Sequence, residues 1–131
     1  MYDPQNGPVL VTGATGGIGG AIVRQLTELG ADVIASGRDT DGLNALAEKY
    51  GCRTCVFDLT SEDDIATALE GLDVYGVVNC GGFGGEIATP MDTDMNVFDK
   101  AISVNARGAL MVIREVSKTM IAKGRGGSIV N

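Results

Sequence analysis

The sequence has 131 residues, 44% of them hydrophobic and 21% charged, with 20 glycines and a formal net charge of −7. That balance excludes a chain too poor in apolar residues to fold, and the acidic charge excludes a basic face for DNA or RNA. With no histidine and three cysteines, a zinc site has too few ligands and a disulfide framework has an odd thiol.

Met1 to Gln5 lacks the basic and apolar regions of a signal peptide, and no apolar run approaches the roughly 18 residues of a membrane span. A soluble cytoplasmic domain, with no metal and no membrane or nucleic-acid partner, is the expectation. Val9-Leu10-Val11-Thr12 reads as a buried strand ended by glycines. From Gly17 to Leu29, apolar Ile18, Ala21, Ile22, Leu26 and Leu29 recur at helical spacing, and Gly30 supplies the stop. Residues 32–36 form a second strand broken by Gly37. Thr40 to Tyr50 is a helix with Leu43, Leu46 and Ala47 on one face, and Arg53 to Phe57 is a third strand. Ser61 caps a helix from Glu62 to Leu69, with Asp64 in the partner position of a capping box. The acidic run Glu62-Asp63-Asp64 favours that helix N-terminus.

Val74 to Val78 makes a fourth strand. The loop from Gly81 to about Asp94 contains Pro90 and is a candidate substrate lid. A long helix, Met95 to Ala122, is apolar on so much of its girth that burial on several sides is expected. Its Met111 and Met120 read as packing residues. Gly124 to Gly127 form a turn, and Ser128-Ile129-Val130 begin a fifth strand. Strand–helix alternation predicts an α/β fold, a doubly wound parallel sheet of order 3-2-1-4-5. Its ligand crevice lies at the carboxyl ends of strands one and four.

The glycines gather at that crevice. In the stretch Thr12 to Gly19, Gly13 permits a tight turn, Gly17 lets backbone approach a pyrophosphate and Gly19 allows close packing. With Thr15, Gly16 and Ile18 they make a cradle whose free N–H groups and positive helix dipole suit an anion. A plain βα turn needs one glycine rather than four within seven residues. A Walker-type loop is excluded, because no Lys-Ser or Lys-Thr follows. Cys52 and Cys55 have redox spacing but enter a strand rather than open a helix, so they read as core-filling thiols.

Thr12 to Gly19 match in full the Thr-Gly-x-x-x-Gly-x-Gly motif of the short-chain dehydrogenase/reductase family, which the chain resembles along its whole length. The resemblance implies a Rossmann-type fold. It puts Asp58-Leu59 where the family contacts the adenine amino group. It puts Asn79-Cys80-Gly81-Gly82 where the family has Asn-Asn-Ala-Gly, beside the adenosine ribose. Asn105, in Val104-Asn105-Ala106-Arg107-Gly108, is similar to the catalytic Asn of the family's helix motif. The stretch around Arg38 and Asp58 looks most like dicarbonyl and L-xylulose reductases.

The end of the second strand separates the cofactors. An acid there would bind the ribose 2′-OH of NAD, but this chain has Gly37 followed by Arg38. A guanidinium forks onto a 2′-phosphate, so NADP(H) is favoured over NAD(H). The other reading of Arg38 is a solvent-exposed strand end. Asp39 is a candidate partner that would weaken the phosphate site, and Gly16 stands where many NADP-using relatives carry a basic residue.

The family's reaction also uses a Ser and a Tyr-x-x-x-Lys. Tyr2, Tyr50 and Tyr75 are followed four residues on by Asn6, Thr54 and Asn79, so of the catalytic group only Asn105 is present. The expectation is that residues 1–131 are the NAD(P)-binding half of a short-chain oxidoreductase, truncated after the fifth strand and inactive alone. The parent would move hydride between the nicotinamide and a carbonyl or secondary alcohol. The alternative is a non-catalytic dinucleotide-binding module or a partner-dependent half-protein. In the resembled family the helix 95–122 meets a partner subunit, so homo-oligomers are expected through a face carrying Leu110, Ile113, Val116 and Met120.

Overall fold

Strands and helices alternate in the order β1 (Val9–Thr12), α1 (Gly17–Glu28), β2 (Val33–Gly37), α2 (Thr40–Tyr50), β3 (Arg53–Val56), α3 (Glu62–Leu69), β4 (Gly76–Asn79), α4 (Met95–Ile102), α5 (Ala109–Lys123) and β5 (Ser128–Val130). The structure is a computed structural model that describes Asp3 and residues 6–131, so the readings resting on Met1, Tyr2, Pro4 and Gln5 lie outside it. All strand pairs are parallel and the order is β3-β2-β1-β4-β5, as the alternation predicts. β4 begins at Gly76 rather than Val74, where the Tyr75 and Gly76 N–H groups both donate to the Pro8 carbonyl.

Alternation along the central strands separates two cores. Val9, Val11, Val33 and Ala35 face Val23 and Leu43 on the side of α1 and α2. Leu10, Ile34 and Val77 face Ile65, Leu69, Val112 and Val116 on the side of α3 and α5. A strand buried on both faces carries apolar residues on each, which is why β1 runs Val9-Leu10-Val11 without polar alternation before Thr12 at the cleft. Burying each such Val, Leu or Ile contributes about 1.5–3 kcal/mol.

Three helix expectations change. In α1, Gly19 and Val23 are the buried residues, whereas Ile18 is 74% exposed and Leu29 is also exposed. A methyl group on Gly19 would sit 2.2 Å from the Gly13 carbonyl oxygen. The helix therefore packs against the glycine turn through bare backbone, and Ile18 is left outside. In α3, Ser61 caps as expected, its Oγ accepting the Asp64 N–H at 3.2 Å. The Ser61 N–H donates to the Asp58 carbonyl, so the reciprocal half of a capping box has no free donor.

The long helix is three pieces: a π-helical segment, Ser103–Gly108, joins α4 to α5. Its burial is one-sided. Met111, Val112, Glu115, Val116 and Met120 face the core, while Phe98, Ile102, Leu110 and Ile121 are exposed. Val116 and Met120 thus do not belong to an outward face, because their stripe is the one that meets α3 and the sheet.

Candidate functional site

The carboxyl ends of β1, β2, β3 and β4 converge on one cleft of about 320 Å³. Its floor is the turn after β1. Gly13 adopts φ +63, open to glycine at little cost, and a methyl group there would lie 2.6 Å from the Gly81 Cα. The Gly81 N–H donates to the buried Thr12 hydroxyl at 3.0 Å, locking the β1 turn to the loop after β4. A methyl group on Gly81 would meet the Leu59 side chain at 2.3 Å. The β1 turn and the loop after β4 therefore meet backbone to backbone, with the Leu59 side chain packed against Gly81.

α1 opens from Gly16 with no side-chain cap and no acid in its first turn. Its first N–H groups are left for an anion, which the helix dipole also favours. The Gly17 Cα faces open space. Beside this floor, the Ser36 hydroxyl is buried without a hydrogen-bond partner on the cleft wall, and Asn79 Oδ1 is likewise orphaned. A bare helix start, a cradle that Cβ atoms would fill and an unpartnered wall hydroxyl fit an elongated ligand with phosphates and hydrogen-bonding rings.

The outer wall carries charge. Arg38, whose side chain is 70% exposed, donates from Nη1 to Asp58 Oδ2 at 3.4 Å. The other carboxylate oxygen, Oδ1, accepts both the N–H and the hydroxyl of Thr60, each at 2.8 Å. The Thr60 backbone N–H leads in holding the Asp58 carboxyl below its ordinary range; partial burial opposes it, and the Thr60 hydroxyl and Arg38 add to it. Asp39 does not pair with Arg38. Its Oδ1 accepts the Gly42 N–H at 3.1 Å and caps α2.

Opposite, Lys100 places its ammonium 4.6 Å from the centre of the Phe83 ring. Asn105 lies in the π-helical segment, its Oδ1 accepting the Phe83 N–H at 2.8 Å and its Nδ2 donating to the Phe83 carbonyl at 3.0 Å. Its amide pins the loop after β4 to that segment.

Of the residues expected at the site, Gly13, Thr15, Gly16, Gly37, Arg38, Asp58, Leu59, Cys80 and Gly81 line the cleft. Gly17, Ile18 and Gly19 open α1 next to it. Asn79 stays in β4 and donates from Nδ2 to Asn131 Oδ1 at 2.9 Å. Burial pushes all three thiols up, including Cys80 on the wall, and all three cysteines are free. The described residues hold no cluster of His, Cys, Asp and Glu able to take a metal ion, and no helix long and apolar enough to cross a membrane.

Ser36, Lys100 and Val104 line the cleft without having been assigned to it from sequence. Strand alternation sets Ser36 on the face of Ile34, and the four-residue step from Lys100 to Val104 is a helical one. Both signals were available.

A family model described as short chain dehydrogenase matches residues 8–131. A 3-oxoacyl-acyl-carrier-protein reductase of Rickettsia bellii is 36% identical over 136 residues, covering 100% of this chain and 55% of the relative. Among solved structures, a putative betaketoacyl-ACP reductase superposes with TM-score 0.88 at 34% identity, covering 98% of this chain and 54% of its own. The closed form of a serine dehydrogenase complexed with NADP+ superposes with TM-score 0.86 at 27% identity, covering 92% and 51%. These relatives do not carry the likeness to dicarbonyl and L-xylulose reductases. The chain spans about half the length of the relatives it matches. On a family model that takes in nearly all of the chain and a relative aligned along its full length, the chain belongs to the short-chain dehydrogenases, a family of oxidoreductases that work with a nicotinamide dinucleotide.

Proposed function

We propose that the cleft binds NADP(H), and that residues 1–131 are the cofactor-binding Rossmann domain of an oxidoreductase acting between a carbonyl compound and its secondary alcohol. Arg38 carries the reading: it follows Gly37 at the end of β2, where an acid would instead select the 2′-OH of NAD. The NADP+ complex of the serine dehydrogenase supports it by likeness. Gly13, Thr15, Gly16 and the start of α1 at Gly17, Ile18 and Gly19 would hold the pyrophosphate. Asp58 and Leu59 would face the adenine, and Asn79, Cys80 and Gly81 the ribose beside it.

When bound, the nicotinamide supplies hydride transfer. In this reading Asn105 contributes by fixing the loop at Phe83 against the π-helical segment. No Tyr-x-x-x-Lys occurs in the 131 residues, so a proton donor must come from elsewhere and this stretch alone does not turn over. That absence also favours a second reading, a dinucleotide-binding module without chemistry of its own. Under either reading the exposed apolar residues of α4 and α5 support homo-oligomers, and the acidic charge with three free thiols suits the cytoplasm.

Calorimetric titration with both cofactors is the test. A charge-assisted contact is worth about 1.5–3 kcal/mol, so Arg38→Ala should weaken NADP at least about tenfold. NAD should be unaffected. Equal wild-type affinities for the two cofactors would refute the assignment.

A further inference from the structure

Arg38 is a long, exposed side chain, and a guanidinium free to wander must be ordered again each time it meets a phosphate, at a cost in rotamer entropy. In the structure it rests on Asp58 Oδ2 through a single Nη1 contact at 3.4 Å, which leaves the rest of its N–H fork for a phosphate rather than consuming it. Asp58 can hold it only if the carboxylate is itself aimed, because the terminal torsion of an Asp is broad and roughly two-fold. Thr60 does the aiming. Its N–H and hydroxyl both donate to Oδ1 at 2.8 Å, which leaves Oδ2 for Arg38. The neighbouring acid is not a rival, since Asp39 is occupied by the Gly42 N–H. Lys100, the other cation of the cleft, rests over Phe83.

We propose that Thr60 is a positioning residue for cofactor choice: by holding one oxygen of Asp58 it aims the other at Arg38, and so sets where the guanidinium waits for a 2′-phosphate. The inference rests on the assignment of Arg38 to that phosphate. Thr60 touches no part of the ligand in this scheme and acts through two other side chains. The low proton affinity of Asp58 agrees with it, because the Thr60 donors and Arg38 all favour the charged carboxylate.

Thr60 is exposed, so its replacement does not threaten the core, and a thermal melt of each variant checks this. Thr60→Val keeps the shape and the N–H but removes the hydroxyl; Thr60→Ser keeps both donors. Titrating the chain and these variants with NADP+ and NAD+, alongside Arg38→Ala, reads the ratio of the two affinities. Thr60→Val should lower the NADP-over-NAD ratio by about two- to tenfold, the worth of one hydrogen bond, and Thr60→Ser should restore it. An unchanged ratio in Thr60→Val beside a lowered one in Arg38→Ala would overturn the relay and leave the phosphate site standing. Equal weakening of both cofactors in Thr60→Val would also overturn it, because Asp58 would then serve the adenine alone. No effect of Arg38→Ala on the ratio would overturn the phosphate assignment and the relay with it.

Discussion

Asp58 joins three neighbours through one carboxylate: the Thr60 backbone, the Thr60 hydroxyl and Arg38. Because all three favour the ionised form, the folded chain holds this proton less readily than the unfolded chain, whose carboxyl titrates near 3.8. The sign follows from linkage: stability from Asp58 is fully present above that value and drains away as pH falls below it toward the lower native one. Asp58→Asn should therefore flatten the acid limb of stability against pH, read by denaturant melts at several pH values below about 5. An acid limb as steep as the parent's would show the three contacts to be without weight. Arg38 itself was legible in the sequence, since its type and place after Gly37 are both local facts. Its partner was not. The adjacent Asp39 turns back to cap α2, while Asp58 arrives from the next strand through the register that sets Gly37 beside Val56. Sequence proximity and spatial proximity part company wherever a cap claims the nearer carboxylate.

At the scale of the element, the π-helical segment brings the long helix against the loop after β3. Arg107 and Arg114 both donate to Glu62 at the start of α3, and Arg114 and Lys118 hold the buried Glu115. Gly108 permits the approach: a methyl group there would lie 2.6 Å from the Leu59 carbonyl oxygen. Gly108→Ala should cost about 1–3 kcal/mol in chemical denaturation, the usual toll of overpacking, and should displace Leu59 from the cleft. A loss within error would show that the loop yields freely. Strand and helix order could be read from the alternation of apolar runs, and the Ser61 cap from its residue type. The buried stripe of α1 could not, because Ile18, Ile22 and Leu26 offer a helical spacing just as Gly19, Val23 and Leu26 do. Only the bare contact between Gly19 and Gly13 decides between them, and a glycine carries no hydropathy signal. The π turn was invisible for the same reason, as nothing in composition distinguishes it from ordinary helix.

On the whole molecule, two cores lie on either side of one sheet and the cleft crosses from one to the other at the strand ends. Outside them, Phe98, Ile102, Leu110 and Ile121 stand exposed along α4 and α5, an apolar band of the kind that marks association surfaces. Sedimentation at about 50 μM, where interfaces of modest affinity populate, should show dimers or larger species. Leu110→Glu should shift them toward monomer, and a wild-type chain that sediments as a stable monomer would refute the surface. The phase of that band depends on the π turn. Ile102 and Leu110 are eight residues apart, which in an unbroken α-helix would swing them about 80° out of line. A wide turn that absorbs one residue brings the offset back to about 20°. Were the same residues 103–108 wound as ordinary α turns, α4 would sit roughly a quarter-turn away against α5, splitting the band while both helices stayed intact. The same rewinding would move Asn105 off Phe83, so the machinery of the cleft and the machinery of assembly share one frame.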